Sequence, residues 1–320
     1  MLTGATGFVG RTLLSRLQSQ FPEWSITAIT RRGTLPDAGV NTTWVAGSLE
    51  DERSLEKALR GAQTVIHAAA LLSTGDPGRF FQVNAVAAGT LARVAREAGV
   101  ERFVLLSSSG VYGGPDFNGV RTEETEVRPE SPYARSKYEG EQRVRDALET
   151  RATVTILRPT GVYGPGRDLY RELLNSMTGA PFTWLYRGDE IVHPGNINDV
   201  VDSVVAVVEN SSSESEIFNV AGERAVGLEA LKTALCEMAG IRRKAFVVPG
   251  FVARPVLLAA RGTGLLDDDA AALALEKASG RFPSTEVSTA KIRKRFLLEW
   301  TPMATGLAEM VASFGMGVGP

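Results

Sequence analysis

The chain has 320 residues, of which 43% are hydrophobic and 22% charged, and carries a formal net charge of −2. It is long enough to bury a large core and to divide into a main domain and a smaller one, and its charge offers none of the clustered basic excess that nucleic-acid binding needs. Cys236 is the only cysteine, which excludes an intrachain disulfide and a cysteine-rich metal site and fits a reducing cytoplasm.

The opening residues, MLTGATGFVG, place Gly4, Gly7 and Gly10 at G-x-x-G-x-x-G spacing. Glycines so spaced let a backbone turn tightly and approach a diphosphate without obstruction by Cβ. A strand normally precedes such a turn and takes about five residues, whereas only Met1, Leu2 and Thr3 stand here. Either the strand is a stub or the true start lies upstream. A misassigned start codon is the expected explanation, because a strand missing from the middle of a sheet would leave its neighbours' backbone groups unpaired. The opening residues show no basic and apolar leader of the secretory kind.

After the turn, residues 8–18 show helical apolar spacing at Val9, Leu13, Leu14 and Leu17. SITAIT, TTWVAG, TVIHAAA and RFVLLSSS then read as strands, with DERSLEKALRG and NAVAAGTLARVAREAG as helices among them. The alternation predicts an α/β fold, a Rossmann-type doubly wound parallel sheet. Residues 110–130 are rich in Gly, Pro and charge and read as a long flap over the site. SPYARSKYEGEQRV opens a helix and TVTILRP a strand, after which the order loosens into a smaller C-terminal substrate-binding lobe. The expected division is a dinucleotide-binding domain over residues 1–160 and a substrate lobe over 161–320, with the strand near 216–221 returning to the first beyond the polar link ENSSSESE. FVVPGFVARPVLLAA is broken by Pro249, Gly250, Arg254 and Pro255 and is too short to span a bilayer. It reads as buried or ligand-facing, and no membrane partner is expected.

Two constellations carry chemistry. The glycine turn opens a helix inside a βα repeat, the context in which a dinucleotide's pyrophosphate rests on a helix N-terminus, with Phe8 and Val9 in its first turn. At the end of the second strand, folds that select NAD place Asp or Glu; this chain has Thr30, Arg31 and Arg32. Two guanidinium groups there suit a 2′-phosphate, which Arg pairs bidentately. NADP is therefore preferred and NAD is the alternative, while without a ligand the same arginines are solvated charges at a strand end.

In SPYARSK, Ser131 can cap a helix with Pro132 in its first turn, and Tyr133 and Lys137 stand four apart on one face near the positive end. A neighbouring ammonium, the helix dipole and an oxidised nicotinamide would each favour the phenolate, drawing Tyr133 from its ordinary pKa near 10 towards exchange at neutral pH. In another context the pair is a surface contact worth roughly 0.2–0.5 kcal/mol. Upstream, LLSSSGVYGG ends an apolar strand in hydroxyls, at the carboxyl edge where parallel sheets bind ligands.

Together these segments resemble the extended short-chain dehydrogenase/reductases, the NAD-dependent epimerase/dehydratase group. The resemblance runs through TGATGFVG, VIHAAA, GVERFVLLSSSGVYG, SPYARSK, LRPTGVYGPG and LEWTP, nearly the whole chain. It implies a catalytic triad of Ser108, Tyr133 and Lys137. Ser108 is chosen over Ser107 and Ser109 by counting back from Tyr112 in VYG, with Ser109 as fallback. It also implies cofactor contacts at Ser48, Leu49, Ala68, Ala69, Ala70, Asn84, Ser107, Pro159, Gly161 and Val162, with Asn84 beside the lysine relay. The implied reaction is hydride transfer between a nicotinamide and a hydroxy or keto carbon of a small-molecule substrate. Tyr133 would act as acid and base, Lys137 would lower its pKa and hold the ribose, and Ser108 would orient the oxygen.

Departures from the family pattern narrow the substrate. The acidic pair that follows the catalytic hydroxyl in dehydratases is Ser109 and Gly110 here, which argues against a 4,6-dehydratase. The arginine of the R-D-[aromatic]-V-H-V run in sugar-nucleotide members is missing from GDEIVHPGNINDVV, with Arg187 nearby as a substitute. The usual adenine-contacting Asp is Ser48, a weaker partner, and the usual G-T is Ala87 and Ala88. VPGFVARPVLLAA resembles the apolar segment of 3β-hydroxysteroid dehydrogenase and dihydroflavonol reductase relatives. A small or apolar hydroxy/keto substrate is therefore expected; a sugar-nucleotide epimerase is the alternative and a non-catalytic NADP-binding sensor a second one. The likeness also suggests a homodimer through the helices NAVAAGTLARVAREAG and SPYARSKYEGEQ. His67 and His193 lie far apart without a carboxylate cluster, so no metal is expected, while Asp199 reads as a helix cap and Cys236 as core.

Overall fold

The computed structural model describes residues 1–31, 41–113, 119–167, 191–210, 214–241 and 286–315, with the isolated positions 39, 183–184, 246–247, 255, 258–259 and 262–263 between them. Arg32, Arg187 and most of the 246–260 apolar segment lie outside the described residues. The main sheet is built from β1 (Leu2–Thr3), β2 (Ile26–Thr30), β3 (Thr42–Ala46), β4 (Thr64–His67), β5 (Arg102–Leu106), β6 (Thr153–Pro159) and β11 (Glu216–Val220). Their order is β11-β6-β5-β4-β1-β2-β3, and every neighbour is parallel. This is a Rossmann-type doubly wound sheet. The chain winds outward one way from β1 and the other way from β4, so the crevice of such a sheet opens between those two strands at their carboxyl ends. Outside it, β7 (Val162–Tyr163) pairs with β10 (Gly195–Asn196), β9 (Ile191–Val192) with β12 (Val226–Gly227), and β8 (Thr183–Trp184) with β13 (Phe246–Val247).

β1 is a stub of two residues. Leu2 pairs with Ala28 and Ile66, and Thr3 with His67. The Met1 ammonium donates to Thr64 O at 2.7 Å and its carbonyl accepts from Ile66 N at 2.8 Å, so the neighbouring strand keeps its backbone partners. Burial pushes that ammonium down to about 6.

Helices cover both faces, which is why the strands read as nearly continuous apolar runs. On one side α1 (Phe8–Gln20) and α6 (Ile197–Glu209) bring Leu13, Leu17, Val200 and Val204 onto Leu2, Ile66, Val104 and Leu157. On the other, α2 (Glu52–Leu59), α4 (Ala87–Glu97) and α5 (Pro132–Leu148) bring Leu55, Leu91 and Val144 onto Val65, Phe103 and Leu105. Consecutive strand residues thus alternate between two cores. A third cluster joins Tyr163 to α7 (Leu228–Met238) and α9 (Met303–Ser313), with Cys236 partly buried against it.

Three sequence expectations are corrected. The helix expected to open at Asn84 is the end of a longer rod: α3 (Pro77–Phe81), capped by Asp76, which accepts from Gly78 N, runs through a π turn (Gln82–Val86) into α4. Asp199 is not the cap of α6. Asn196 holds that position and accepts from Asn198 N, while Asp199 is buried one turn in and receives both N and Oγ1 of Thr301, fastening the segment ahead of α9. The flap over 110–130 is also not all loop. It begins with one 3-10 turn (Ser109–Tyr112), and Arg121 bridges to Val287, next to α8 (Ala290–Phe296).

Candidate active site

The residues singled out from sequence follow the carboxyl ends of β1 to β6. Gly4 has φ +72°, and a Cβ there would lie 2.6 Å from Ala69 N. A Cβ on Gly10 would lie 2.0 Å from Gly4 O, so α1 packs on the turn only with glycine at that position. Gly7 is different: it is exposed, its Cβ would meet only Gly4 O at 3.2 Å, and as N-cap of α1 it brings no side chain to the first amides, those of Phe8 and Val9. The end of β4 is stitched to the turn, because Thr3 Oγ1 accepts from Ala69 N at 3.2 Å and lies 2.7 Å from His67 Nδ1. Burial, with the charge of Lys137 adding to it, pushes His67 down to about 3, so this imidazole is neutral and committed to Thr3. Ala68 and Ala69 are half-buried beside the turn and Ala70 is exposed.

Around the rest of the crevice, Arg31 is exposed at the end of β2. Ser48 turns inward on its own loop, its Oγ accepting from Glu50 N at 3.2 Å and its carbonyl from Ser54 Oγ at 3.1 Å, with Leu49 half-buried against the second core. Asn84 sits in the π turn and receives Leu71 N on Oδ1 while donating from Nδ2 to Leu71 O and Ser136 Oγ. It ties the loop after β4 to α5 and makes no bond to Lys137. Gly140 permits that approach, since a Cβ there would lie 2.3 Å from Asn84 O. Pro159 is buried, Val162 half-buried, and Gly161 exposed with open space where a Cβ would be.

Ser108, Tyr133 and Lys137 meet at the end of β5. Ser131 caps α5 by accepting from Ala134 N at 3.1 Å, which sets Tyr133 in the first turn and Lys137 one turn later. Ser108 Oγ accepts from Gly110 N at 3.1 Å, and of the three serines it is the one whose hydroxyl draws the Tyr133 phenol down. Phe80 of α3 meets the Tyr133 ring edge-on, with centroids 6.0 Å apart. Lys137 is 2% exposed, donates to Leu106 O at 2.7 Å, and is pushed down to about 8 by burial, with Glu141 opposing.

The Tyr133 phenol lies above its ordinary range, because burial outweighs the Ser108 hydroxyl and the charge of Arg167 that pull it down. The lysine's ammonium is spent on a backbone carbonyl, and the cation felt by the phenol is an arginine.

The sequence reading missed the groups that support these residues. Glu141, fully buried one turn after Lys137, receives Arg158 Nε and Nη2 at 3.0 and 2.6 Å. The Arg158 guanidinium lies 4.9 Å from the Tyr112 ring centroid, and Tyr112 Oη donates to Asn219 Oδ1 at 2.8 Å. This chain of contacts ties α5 to β6 and to the turn that carries Ser108. Arg167, 5.1 Å from the Phe8 ring centroid, was missed for a second reason: no sequence spacing announces it. His193 is structural, its Nε2 3.1 Å from Gly222 O and its Nδ1 accepting from Val287 N at 3.4 Å.

The model of the NAD dependent epimerase/dehydratase family matches residues 1–221. The chain belongs to this family. A UDP-glucose 4-epimerase of Vibrio cholerae is 30% identical over 234 residues, 69% of either chain. A 4-hydroxy-2-methyl-3-oxo-4-farnesyl-3,4-dihydroquinoline-1-oxide ketoreductase of Stigmatella aurantiaca is 25% identical over 79% of this chain and 77% of that one. Among solved structures, MoeE5 in complex with UDP-glucuronic acid and NAD superposes with a TM-score of 0.78 over 98% of this chain and 97% of that one, at 24% identity.

Family membership implies a nicotinamide dinucleotide, and the residues fit one. The uncapped first turn of α1 behind Gly7 is free for a diphosphate, and Gly161 leaves space beside β6. Ser107 Oγ and Thr160 Oγ1, at the ends of β5 and β6, are buried hydroxyls with no partner among the described residues, at the edge where such sheets bind ligands. Among the described residues no group of His, Cys, Asp and Glu is placed to hold a metal, and no helix is long and apolar enough to cross a membrane.

Proposed function

We propose that this family member is an NADP-preferring oxidoreductase that transfers a hydride between the nicotinamide and a hydroxy or keto carbon of a small or apolar substrate. The observation that carries this reading is the placement of the Ser108 hydroxyl, just past the end of β5, where it acts on the Tyr133 phenol, with Lys137 one turn behind on α5. Bound there, the dinucleotide supplies or accepts the hydride. Tyr133 then holds or delivers the proton at the substrate oxygen, Ser108 donates to the same oxygen, and the charge of Arg167 favours the phenolate when the proton has left. Because the phenol is raised, Tyr133 enters as an acid at neutral pH, the form required for carbonyl reduction.

Arg31, at a strand end that lacks an acid, supports NADP over NAD. The identity to the Vibrio cholerae epimerase supports a second reading, epimerisation of a nucleotide-linked sugar. We also place the cofactor half at residues 1–160 with β11 and the substrate half at 161–320, a homodimer on α4 and α5, and the protein in the cytoplasm, where a lone Cys236 is at home. Sedimentation at micromolar concentration tests the dimer.

The test of the chemistry is Tyr133→Phe against a panel of ketones with NADPH. Its activity should fall roughly 100- to 10,000-fold with NADPH binding retained; undiminished activity would refute the role of the phenol. In the wild type, ketone reduction should hold through neutral pH and decline only in alkali, while alcohol oxidation should climb with pH, because it needs the phenolate.

A further inference from the structure

The turn at residues 164–167 is clamped against the helices beside it. Arg11 of α1 donates from Nη2 to Gly166 O at 2.8 Å, and Arg167 N closes the turn on Gly164 O at 3.3 Å. Gly164 admits no side chain, since a Cβ there would lie 2.4 Å from Ile197 Cγ2 of α6. Held in this way, Arg167 presents its guanidinium 5.1 Å from the Phe8 ring centroid, with that of Arg11 at 5.9 Å from the same ring, and its charge reaches the Tyr133 phenol. Among the described residues no carboxylate pairs with Arg167, and its Nε is enclosed without a hydrogen-bond acceptor. Two guanidinium groups on one ring repel, and an enclosed donor without an acceptor is disfavoured. An anion relieves both.

We propose that Arg167 is an anion subsite for diphosphate oxygens, set beside Phe8, with Arg11 as the strut that holds its turn. The proposal takes its setting from the cofactor reading above. The diphosphate has two sources, the dinucleotide itself and a nucleotide-linked substrate. Both carry the same oxygens, and a guanidinium meets either bidentately.

The experiment titrates NADH into the free protein, and UDP into the NAD-saturated protein, at low and high salt, for the wild type, Arg167→Gln, Arg167→Lys and Arg11→Gln. If the dinucleotide is the source, Arg167→Gln weakens NADH roughly 10- to 100-fold; if the substrate is, NADH is unchanged and UDP weakens by that factor. In either case Arg167→Lys recovers part of the loss, Arg11→Gln loses less, and the salt dependence shrinks in Arg167→Gln, which a structural role alone would not produce. Arg167 is half-buried on a turn, so an unchanged unfolding midpoint in Arg167→Gln and Arg167→Lys shows that the fold is intact. Equal affinities for both ligands in wild type and Arg167→Gln overturn the subsite and leave the cofactor reading standing. A wild type that takes neither NADH nor UDP overturns both.

Discussion

Lys137 shows how much of this site is held against its own stability. A lysine buried to 2% exposure and pushed from 10.5 to about 8 is disfavoured as a cation in the folded state by about 3 kcal/mol. Below pH 8 the folded protein carries that burden. Lys137→Met, which fills the same volume without a charge, should therefore raise the urea midpoint at pH 7 by the equivalent of about 1–3 kcal/mol while abolishing turnover. A lowered midpoint would mean that the bond to Leu106 O outweighs the burial. The lysine and tyrosine themselves were legible in the sequence, because four-residue spacing behind a Ser-Pro cap fixes both on one face of a helix. Their electrostatics were not, since burial and the charge of Arg167 arise from parts of the chain distant in sequence.

At the scale of elements, α5 is the part on which the site depends. It is pinned to the π turn through Gly140 and Asn84, and to β6 through Glu141 and Arg158. Removing one partner of a buried pair leaves an uncompensated charge, so Glu141→Gln should lose about 3–5 kcal/mol of stability, and Glu141→Gln with Arg158→Met should regain most of it. Denaturant melts of the two variants decide this; an equal loss in both would show that packing rather than charge is what the pair provides. The strand and helix alternation was readable because each strand is buried on both faces and each helix on one. The rod that begins at Pro77 was not, because Asp76 and Pro77 lie in a stretch of turn-forming residues and the π turn breaks the helical period at Asn84. Asp199 was misread for a related reason: an acid in the first turn of a helix resembles a cap until the contact with Thr301, which is 102 residues away, is known.

At the scale of the molecule, the buried titratable groups set the dependence of stability on pH. Among the described residues four basic side chains are held below their ordinary values by burial: His67 from 6.5 to about 3, Lys137 from 10.5 to about 8, and His193 and Arg121 as well. Over each of those intervals the unfolded chain binds more protons, so stability rises with pH. Asp199, raised from 3.8 to about 6, acts oppositely, since the folded chain binds the extra proton there and stability falls as pH rises through that interval. The unfolding temperature should therefore peak above pH 8, beyond the usual range of about 5–8. A maximum below pH 6 would show that these burials are relieved in solution. The same burials surround a crevice whose glycine turn, uncapped helix and unpartnered hydroxyls are shaped for a dinucleotide. The most direct measurement is a fluorescence titration of the purified protein with NADPH and with NADH. Saturable binding of both, tighter for NADPH, is the predicted result; no saturable signal from either would contradict the assignment of this crevice to a nicotinamide cofactor.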